Sequence, residues 1–300
     1  MVIGKLYSQT LPQGCLWVYI ITVLMLDNYY CGRLTHHSMK PFHSFPQQMK
    51  AYIHYVLTDI DDTLTLSGRL PAAAYTAMEL LQESGVQVIP ITGRPAGWCD
   101  HIARMWPVAG VVGENGAFYF RYDEEQKKML RRYFASEKER QENQRKLSKL
   151  KRHILQNVPG SGVSADQAFR EADLAIDFCE DVPPLTREAI DHIVRLFTEA
   201  GAKAKVSSIH VNGWYGDYDK LAMTKIFFED IFSLPLETDK DQIIFTGDSP
   251  NDGPMFAFFP HSVGVANILD FQGRMEHEPA WITDEPGGWG FAEMTEILLS

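Results

Sequence analysis

Three carboxylates stand close together near residue 60, at the end of an apolar run. The run Tyr55–Thr58 has the length and content of a buried parallel strand, and Asp59, Asp61 and Asp62 follow it. In an open α/β sheet, ligands bind at the carboxyl ends of the strands. Carboxylates crowded at such an edge repel one another, so the pattern predicts a cation beside them, and a divalent metal is the simplest candidate.

Two other interpretations of this cluster can be compared with the same residues. A calcium loop of the EF-hand type needs Gly at its sixth position and Glu at its twelfth. Counted from Asp59, these positions hold Leu64 and Leu70, which excludes that loop. A polar strand end or a helix cap, where Asp is common, stays open on this stretch alone.

Further residues that could do chemistry follow predicted strands or begin a predicted helix. Thr92 follows the apolar stretch 86–91, and Asp248 follows the apolar stretch 242–246. Lys220 begins an apolar helical pattern that extends to residue 232. Each residue alone is explained as a helix cap, a turn residue or a surface charge, so only their joint order along the chain is informative.

In this order the residues resemble the four motifs of the haloacid dehalogenase (HAD) superfamily. Motif I, Asp-x-Asp-x-Thr, stands at residues 59–63, motif II centres on Thr92, motif III on Lys220 and motif IV on residues 247–252. The resemblance covers residues 51–300. It implies an α/β fold whose core is a Rossmann-like, doubly wound parallel sheet.

The resemblance also implies catalytic roles. Asp59 would be the nucleophile that forms an aspartyl-phosphate, and Asp61 would protonate the leaving group and then activate water. Thr92 would donate a hydrogen bond to the transferring phosphoryl group, and Lys220 would add positive charge to it.

A Mg²⁺ site is the cofactor that the resemblance implies. The Asp59 carboxylate, the Asp61 backbone carbonyl and Asp248 would bind the metal, and Asp252 would support its water ligands. Oxygen donors of this kind suit Mg²⁺.

An α+β pattern between motifs II and III predicts an inserted cap domain at residues 136–210, with the core at 51–135 and 211–300. This position is similar to that in HAD subclass IIB, as is the sequence at residues 114–117. Such a cap would exclude water and contact the leaving group. An exposed sheet face explains the insert's polar residues equally well. The candidate substrate-binding residues are Thr92, Gly93, Arg94, Lys220 and Asn251 in the core, and Arg170, Ser208, His210 and Asn212 in the insert.

Composition limits the possible partners. The chain has 300 residues, a net charge of −11 and no basic stripe, which argues against a nucleic-acid partner. Its four cysteines have neither zinc-site nor disulfide-framework spacing, so we expect a reducing cytoplasm. A monomer or a homodimer is expected.

Residues 1–50 differ from the rest of the chain. Their apolar run at 15–26 is shorter than the roughly 20 residues of a membrane span, so we expect no stable membrane association. We expect residues 1–50 to be an N-terminal extension outside the fold, with Met39 and Met49 as candidate start sites.

Together these patterns predict a Mg²⁺-dependent phosphomonoester hydrolase that acts on a small sugar phosphate or related metabolite. A phosphosugar mutase of the same fold is the main alternative, because the residues do not show whether water or a sugar hydroxyl accepts the phosphoryl group. A metabolite-binding protein without activity is a further alternative.

Overall fold

The structure is a computed structural model that describes residues 39–207 and 209–300. A six-stranded sheet lies at its centre, and every neighbouring pair of strands in it is parallel. Its strands are β1 (Lys40–Pro41), β2 (Tyr55–Thr58), β3 (Gln87–Pro90), β11 (Ile243–Gly247), β12 (His261–Gly264) and β13 (Trp281–Ile282). Their order across the sheet is β1-β13-β12-β11-β2-β3, which places β2 and β11 side by side.

Helices cover both faces of this sheet because successive strand residues point to opposite sides. The α-helices are α1 (Gln47–Lys50), α2 (Ala72–Glu83), α3 (Ala96–Met105), α4 (Glu137–Asn157), α5 (Arg187–Glu199), α6 (Lys220–Phe232), α7 (Leu236–Asp239), α8 (Gly253–Phe258) and α9 (Gly287–Leu299). Val56 and Ile244 pack on one face with residues of α2 and α9, and their neighbours Leu57 and Phe245 pack on the other with residues of α6 and α8. The predicted doubly wound α/β fold is confirmed.

An antiparallel three-stranded sheet adjoins β3. A parallel bridge between Ile91 and Val112 connects the two sheets. The strands of the three-stranded sheet are β4 (Val111–Gly113), β5 (Phe118–Asp123) and β6 (Lys128–Tyr133). Strands β5 and β6 pair as an antiparallel hairpin.

A separate, four-stranded antiparallel sheet lies between motifs II and III in the chain, and we call this four-stranded sheet the second sheet. It consists of β7 (Gly162–Val163), β8 (Asp173–Asp177), β9 (Lys203–Val206) and β10 (His210–Trp214), in the order β7-β8-β10-β9. Leu174, Ile176 and Val211 on one face pack with apolar residues of α4 and α5. Strands β9 and β10 pair as a hairpin, and the second sheet continues to Trp214, beyond the predicted insert boundary at residue 210.

Residues 39–50 belong to the fold, which corrects the predicted boundary of the N-terminal extension. Strand β1 pairs with β13, and Phe42 and Phe45 are buried against the ring of Trp281. The strand has only two residues, which are too few to show a hydrophobic period in the sequence. Residues 1–38, including the apolar run at 15–26, lie outside the described residues. Among the described helices, none combines the length and the apolar content that crossing a membrane requires.

Candidate active site

Two carboxylates meet because their strands are parallel neighbours. Strands β2 and β11 pair in register, and the Asp59 amide extends the ladder by donating to the Thr246 carbonyl over 2.9 Å. Asp59 stands just after β2 and Asp248 just after β11, and both are buried. The sequence therefore places two carboxylates at one edge of the sheet.

A third buried carboxylate completes the cluster. One side-chain oxygen from each of Asp59, Asp248 and Asp252 lies within 4.8 Å of the others. The Asp248 amide donates to Asp252 over 3.3 Å, and the Thr63 hydroxyl donates to Asp248 over 3.2 Å. A side chain at Gly247 would place its Cβ 2.5 Å from the Asp252 carboxylate, so the close approach requires glycine.

Lys220 is the cation of this cluster. Its Nζ lies 3.0 Å from Asp59 and 2.8 Å from Asp252, and the side chain is buried. Helix α6 begins at Lys220 because the Asp219 side chain accepts the Ala222 amide over 2.8 Å, which is an N-cap. Lys220 is thereby fixed opposite the carboxyl ends of β2 and β11.

One ammonium group does not balance three buried carboxylates. Burial, Asp252 and Asp61 raise the pKa of Asp59 to about 7 despite the opposing charge of Lys220. Burial, Asp252 and Asp59 raise the pKa of Asp248 to about 9. Buried carboxylate oxygens with excess negative charge are the donors that Mg²⁺ prefers, so the cluster fits the predicted metal.

The Asp61 carboxylate lies apart from this cluster. The Arg94 guanidinium donates to it through Nε over 2.9 Å and through Nη2 over 2.6 Å. Arg94 also stacks over the Trp98 ring at 4.5 Å. The Asp61 carboxylate is thus engaged by Arg94, and binding of the metal through the Asp61 backbone carbonyl stays a prediction.

Thr92 is fully buried after β3. Its hydroxyl oxygen accepts the Arg94 amide over 3.0 Å, and its own amide donates to the Val112 carbonyl. Gly93 and Arg94 line the cavity described next, whereas Thr92 lies behind them. The position supports the motif II loop, and a direct contact of Thr92 with phosphate stays a prediction.

A cavity of about 800 Å³ extends from the carboxylate cluster to the second sheet. We call it the active-site cavity. Asn251, whose side-chain oxygen lies 3.4 Å from Lys220 Nζ, is part of its wall. The other predicted substrate-binding residues that line the active-site cavity are Gly93, Arg94, Arg170, His210, Asn212 and Lys220. The predicted Ser208 lies outside the described residues.

The predicted residues of the insert are held by protein partners. Arg170 is buried and pairs with Asp166 at 2.8 Å and Asp173 at 3.0 Å, and it donates to the Gly93 carbonyl over 3.1 Å. Asn212 donates to Asp173 over 3.0 Å. Arg170 thus joins the motif II loop to the second sheet, and it is more a positioning residue than a free ligand for substrate.

His210 approaches a carboxylate within the same wall. Its Nε2 lies 2.8 Å from Glu180, although the two groups are not aligned as a hydrogen bond. Burial lowers the pKa of His210 against the opposing charge of Glu180. The imidazole is therefore weighted towards its neutral form.

Two residues of the site were missed by the sequence analysis. Lys205 of β9 lines the active-site cavity, and its Nζ donates to the Asn251 carbonyl over 3.2 Å. Glu114 is fully buried and accepts hydrogen bonds from backbone amides of separate segments. The alternation of Lys203 and Lys205 along the strand was a weak signal, since an exposed strand face has the same pattern.

Comparisons with known proteins agree with this geometry. A family model described as haloacid dehalogenase-like hydrolase matches residues 56–162. No curated protein matches the chain. At the identities given next, similarity to solved structures shows the fold alone.

Three solved structures illustrate the shared fold. Thermoplasma acidophilum 0175 has 18% identity and a TM-score of 0.61, with 82% of this chain and 98% of that chain covered. A haloacid dehalogenase-like hydrolase from Bacteroides thetaiotaomicron has 15% identity and a TM-score of 0.57, with 81% and 98% covered. A sugar phosphatase of HAD subclass IIB has 13% identity and a TM-score of 0.56, with 81% and 97% covered. The motifs, the fold and the family-model match together confirm that this chain resembles the haloacid dehalogenase-like hydrolases, and it shares its fold with a subclass IIB member.

Proposed function

We propose that this protein is a Mg²⁺-dependent phosphomonoester hydrolase that acts on a small sugar phosphate or a related metabolite. The observation that carries the proposal is the placement of Asp59. Its buried carboxylate is held by Lys220 at 3.0 Å, beside two further carboxylates, at one end of a cavity of about 800 Å³. This volume suits a small-molecule substrate.

Asp59 acts as the nucleophile in this proposal. Lys220 holds one oxygen of the carboxylate, and the other oxygen attacks phosphorus as the ester P–O bond breaks. The leaving alkoxide takes a proton from Asp61. Water then attacks the aspartyl-phosphate, gives a proton to Asp61 and releases inorganic phosphate, so that both carboxyl groups return to their starting states.

Asp61 must turn one oxygen towards the leaving group for this step. In the structure both its oxygens accept hydrogen bonds from Arg94 Nε, at 2.9 and 3.0 Å. A phosphate dianion in the cavity is a competing partner for the same guanidinium, which suits oxyanions through its planar fork of donors. We propose that Arg94 transfers to the phosphate and thereby frees the Asp61 carboxylate, which takes up a proton from solvent water before it serves as the acid.

The carboxylates of Asp59, Asp248 and Asp252, with the Asp61 backbone carbonyl, would hold Mg²⁺. The bound ion supplies positive charge that attracts the phosphate and stabilises negative charge in the transition state. Lys220, whose Nζ lies 3.0 Å from Asp59, contributes to the same stabilisation.

The second sheet forms the far wall of the active-site cavity, where a leaving group would lie. His210 and Asn212 of β10 and Lys205 of β9 are part of this wall. We propose that the second sheet and its helices act as the cap domain that the sequence predicts, contacting the leaving group and excluding water. A subclass IIB sugar phosphatase shares this fold, which supports a sugar phosphate as the substrate class.

Release of inorganic phosphate from a panel of phosphorylated sugars and glycerates tests the proposal. We expect release that needs Mg²⁺, stops with EDTA and falls by at least about 10³-fold in Asp59→Asn, because the nucleophile is lost. Asp123→Asn, in the β5–β6 hairpin, removes a carboxylate outside the cavity wall and is the matched control. Release that survives Asp59→Asn contradicts the assigned nucleophile, and turnover that requires a bisphosphate activator identifies a mutase instead.

A further inference from the structure

The wall of the cavity formed by the second sheet carries several polar side chains, whereas the opposite face of that sheet is apolar. Lys205 of β9 pairs in register with Asn212 of β10, so both side chains project from the same face. His210 lies two residues from Asn212 and shares that face. All three residues line the active-site cavity.

Lys205 differs from the other basic residues that line the active-site cavity in the groups to which it donates hydrogen bonds. Among the described residues, its hydrogen bond goes to a neutral acceptor, the Asn251 carbonyl at 3.2 Å. Arg274 also donates to a carbonyl, but it is exposed, whereas Lys205 is half-buried. The cavity-lining basic residues that pair with carboxylates are Arg94, Arg170, Arg187 and Lys220.

The positive charge of Lys205 is therefore poorly compensated. Burial and the neighbouring Lys220 ammonium lower its pKa, although the Asp252 and Asp219 carboxylates oppose this. A half-buried ammonium that faces a cavity without its own carboxylate is a binding position for an anion.

The location of Lys205 relates this position to the leaving group. Asn251 connects the two lysines, because its carbonyl accepts from Lys205 and its side-chain oxygen lies 3.4 Å from Lys220 Nζ. Lys220 forms an ion pair with the nucleophile Asp59, where the transferring phosphoryl group binds in the proposed function. Lys205 comes from the second sheet, on the side where the leaving group extends.

We propose that Lys205 binds a second anionic group, a carboxylate or a second phosphate, on the leaving group of the substrate. This inference rests on the proposed function and narrows its substrate class to phosphate esters with an acidic leaving group. Lys205 is then a specificity-determining residue whose contribution depends on the charge of the substrate.

Matched pairs of esters test the proposal through kcat/KM. Two pairs differ by a carboxylate: glycerol 3-phosphate with 3-phosphoglycerate, and glucose 6-phosphate with its open-chain acid, 6-phosphogluconate. A third pair, fructose 6-phosphate with fructose 1,6-bisphosphate, differs by a phosphate. The acidic member of at least one pair should be preferred. Which pair shows the larger preference identifies the anionic group.

The variant Lys205→Met keeps the length of the side chain and removes its charge. We expect it to lower kcat/KM for the preferred acidic ester by about 10- to 100-fold, mainly through KM, which is the range of one lost hydrogen bond to a charged group. The neutral partner should change by less than about 3-fold. Lys203→Met is the control, since Lys203 lies on the same strand, pairs with Asp217 at 2.6 Å and is not part of the cavity wall.

Equal loss for neutral and acidic esters in Lys205→Met overturns the proposal, because Lys205 then acts on the phosphoryl group or on the fold. Absence of any acidic preference in the unaltered protein overturns it as well. Calorimetric binding of the same pairs to Asp59→Asn, with and without Lys205→Met, separates this inference from the proposed function. An acidic preference in binding that depends on Lys205, without turnover in the unaltered protein, retains the anion site and rejects the hydrolase.

Discussion

Replacing Glu114 by Gln should loosen the joint between the central sheet and the second sheet. Glu114 is fully buried after β4. Its carboxylate accepts the amide of Ala96, at the start of α3, over 2.9 Å. It also accepts the amides of Glu171, Ala172 and Asp173, which lead into β8, over 2.6 to 3.2 Å. One side chain therefore satisfies backbone donors from two distant segments.

The size of the effect follows from the acceptors that remain. A glutamine offers one oxygen, so its NH₂ group must face donors that the second carboxylate oxygen satisfied. In the less costly orientation only the Ala96 amide loses its acceptor, and in the other orientation both Ala172 and Asp173 do. Each buried donor left without an acceptor costs about 1–3 kcal/mol, so we expect a loss of about 2 kcal/mol in the free energy of unfolding.

An opposing effect makes the sign of the change informative. Burial and the Asp173 carboxylate raise the pKa of Glu114 to about 8, so a neutral side chain also removes an electrostatic repulsion. The hydrogen bonds should dominate, because all the amides around Glu114 are donors and require an acceptor.

Thermal unfolding provides the measurement. A loss of about 2 kcal/mol corresponds to a fall in Tm of roughly 3–4 °C for a protein of this size, from an unfolding entropy of about 2.1 cal/mol/K per residue. Glu79→Gln makes the same chemical change on an exposed position of α2 and should leave Tm nearly unchanged. An unchanged or raised Tm in Glu114→Gln refutes the reasoning and shows that relief of the repulsion outweighs the lost acceptor.

Three further predictions concern the N-terminal boundary, the metal and Arg94. Phe42→Ala should lower the free energy of unfolding by about 3–5 kcal/mol in a urea titration, since the ring is fully buried, whereas Tyr52→Ala, at a residue 64% exposed, should have little effect. Mg²⁺ should raise Tm and EDTA should reverse the increase, and Asp248→Asn should remove the response; equal responses in both proteins contradict the assigned metal site. Arg94→Met should lower kcat/KM for the best substrate by about 10- to 100-fold, because a charged hydrogen-bond donor to phosphate is lost. Unchanged kinetics would leave Arg94 without a role in phosphate binding.

The residues of the carboxylate cluster were predictable because their positions depend on strand ends. An apolar run that stops at Asp59 and another that stops near Asp248 locate two carboxylates at the ends of strands. Parallel pairing of β2 with β11 then brings them together, and the helical pattern that begins at Lys220 supplies the cation. The strand ends follow from the hydrophobic period and the rule that ligands bind at the carboxyl ends of strands, whereas Lys220 and Asp252 were singled out by the resemblance to the HAD motifs.

The contacts of the second sheet were not predictable in the same way. The pattern shows that Lys205 and Asn212 alternate on strands, but it does not show which face of the sheet turns towards Asp59. That orientation depends on contacts between distant segments, such as Arg170 with the Gly93 carbonyl and Glu114 with the Ala96 amide. Neither contact leaves a period in the sequence, because both involve loop backbone.

The pairing of cations with carboxylates suggests how the site coordinates phosphate binding with proton transfer. Arg94 forms an ion pair with Asp61, and Lys220 forms one with Asp59, so each carboxylate with a proposed chemical role already has a cationic partner. A phosphate ester competes with these carboxylates for the same cations, and its oxygens match the two-donor fork by which Arg94 holds Asp61. The Asp61 carboxylate is then released at the moment when phosphate occupies the cavity. We infer that Asp61 takes up its proton and faces the leaving group only with substrate in place, since the same guanidinium cannot hold Asp61 and the phosphate equally well.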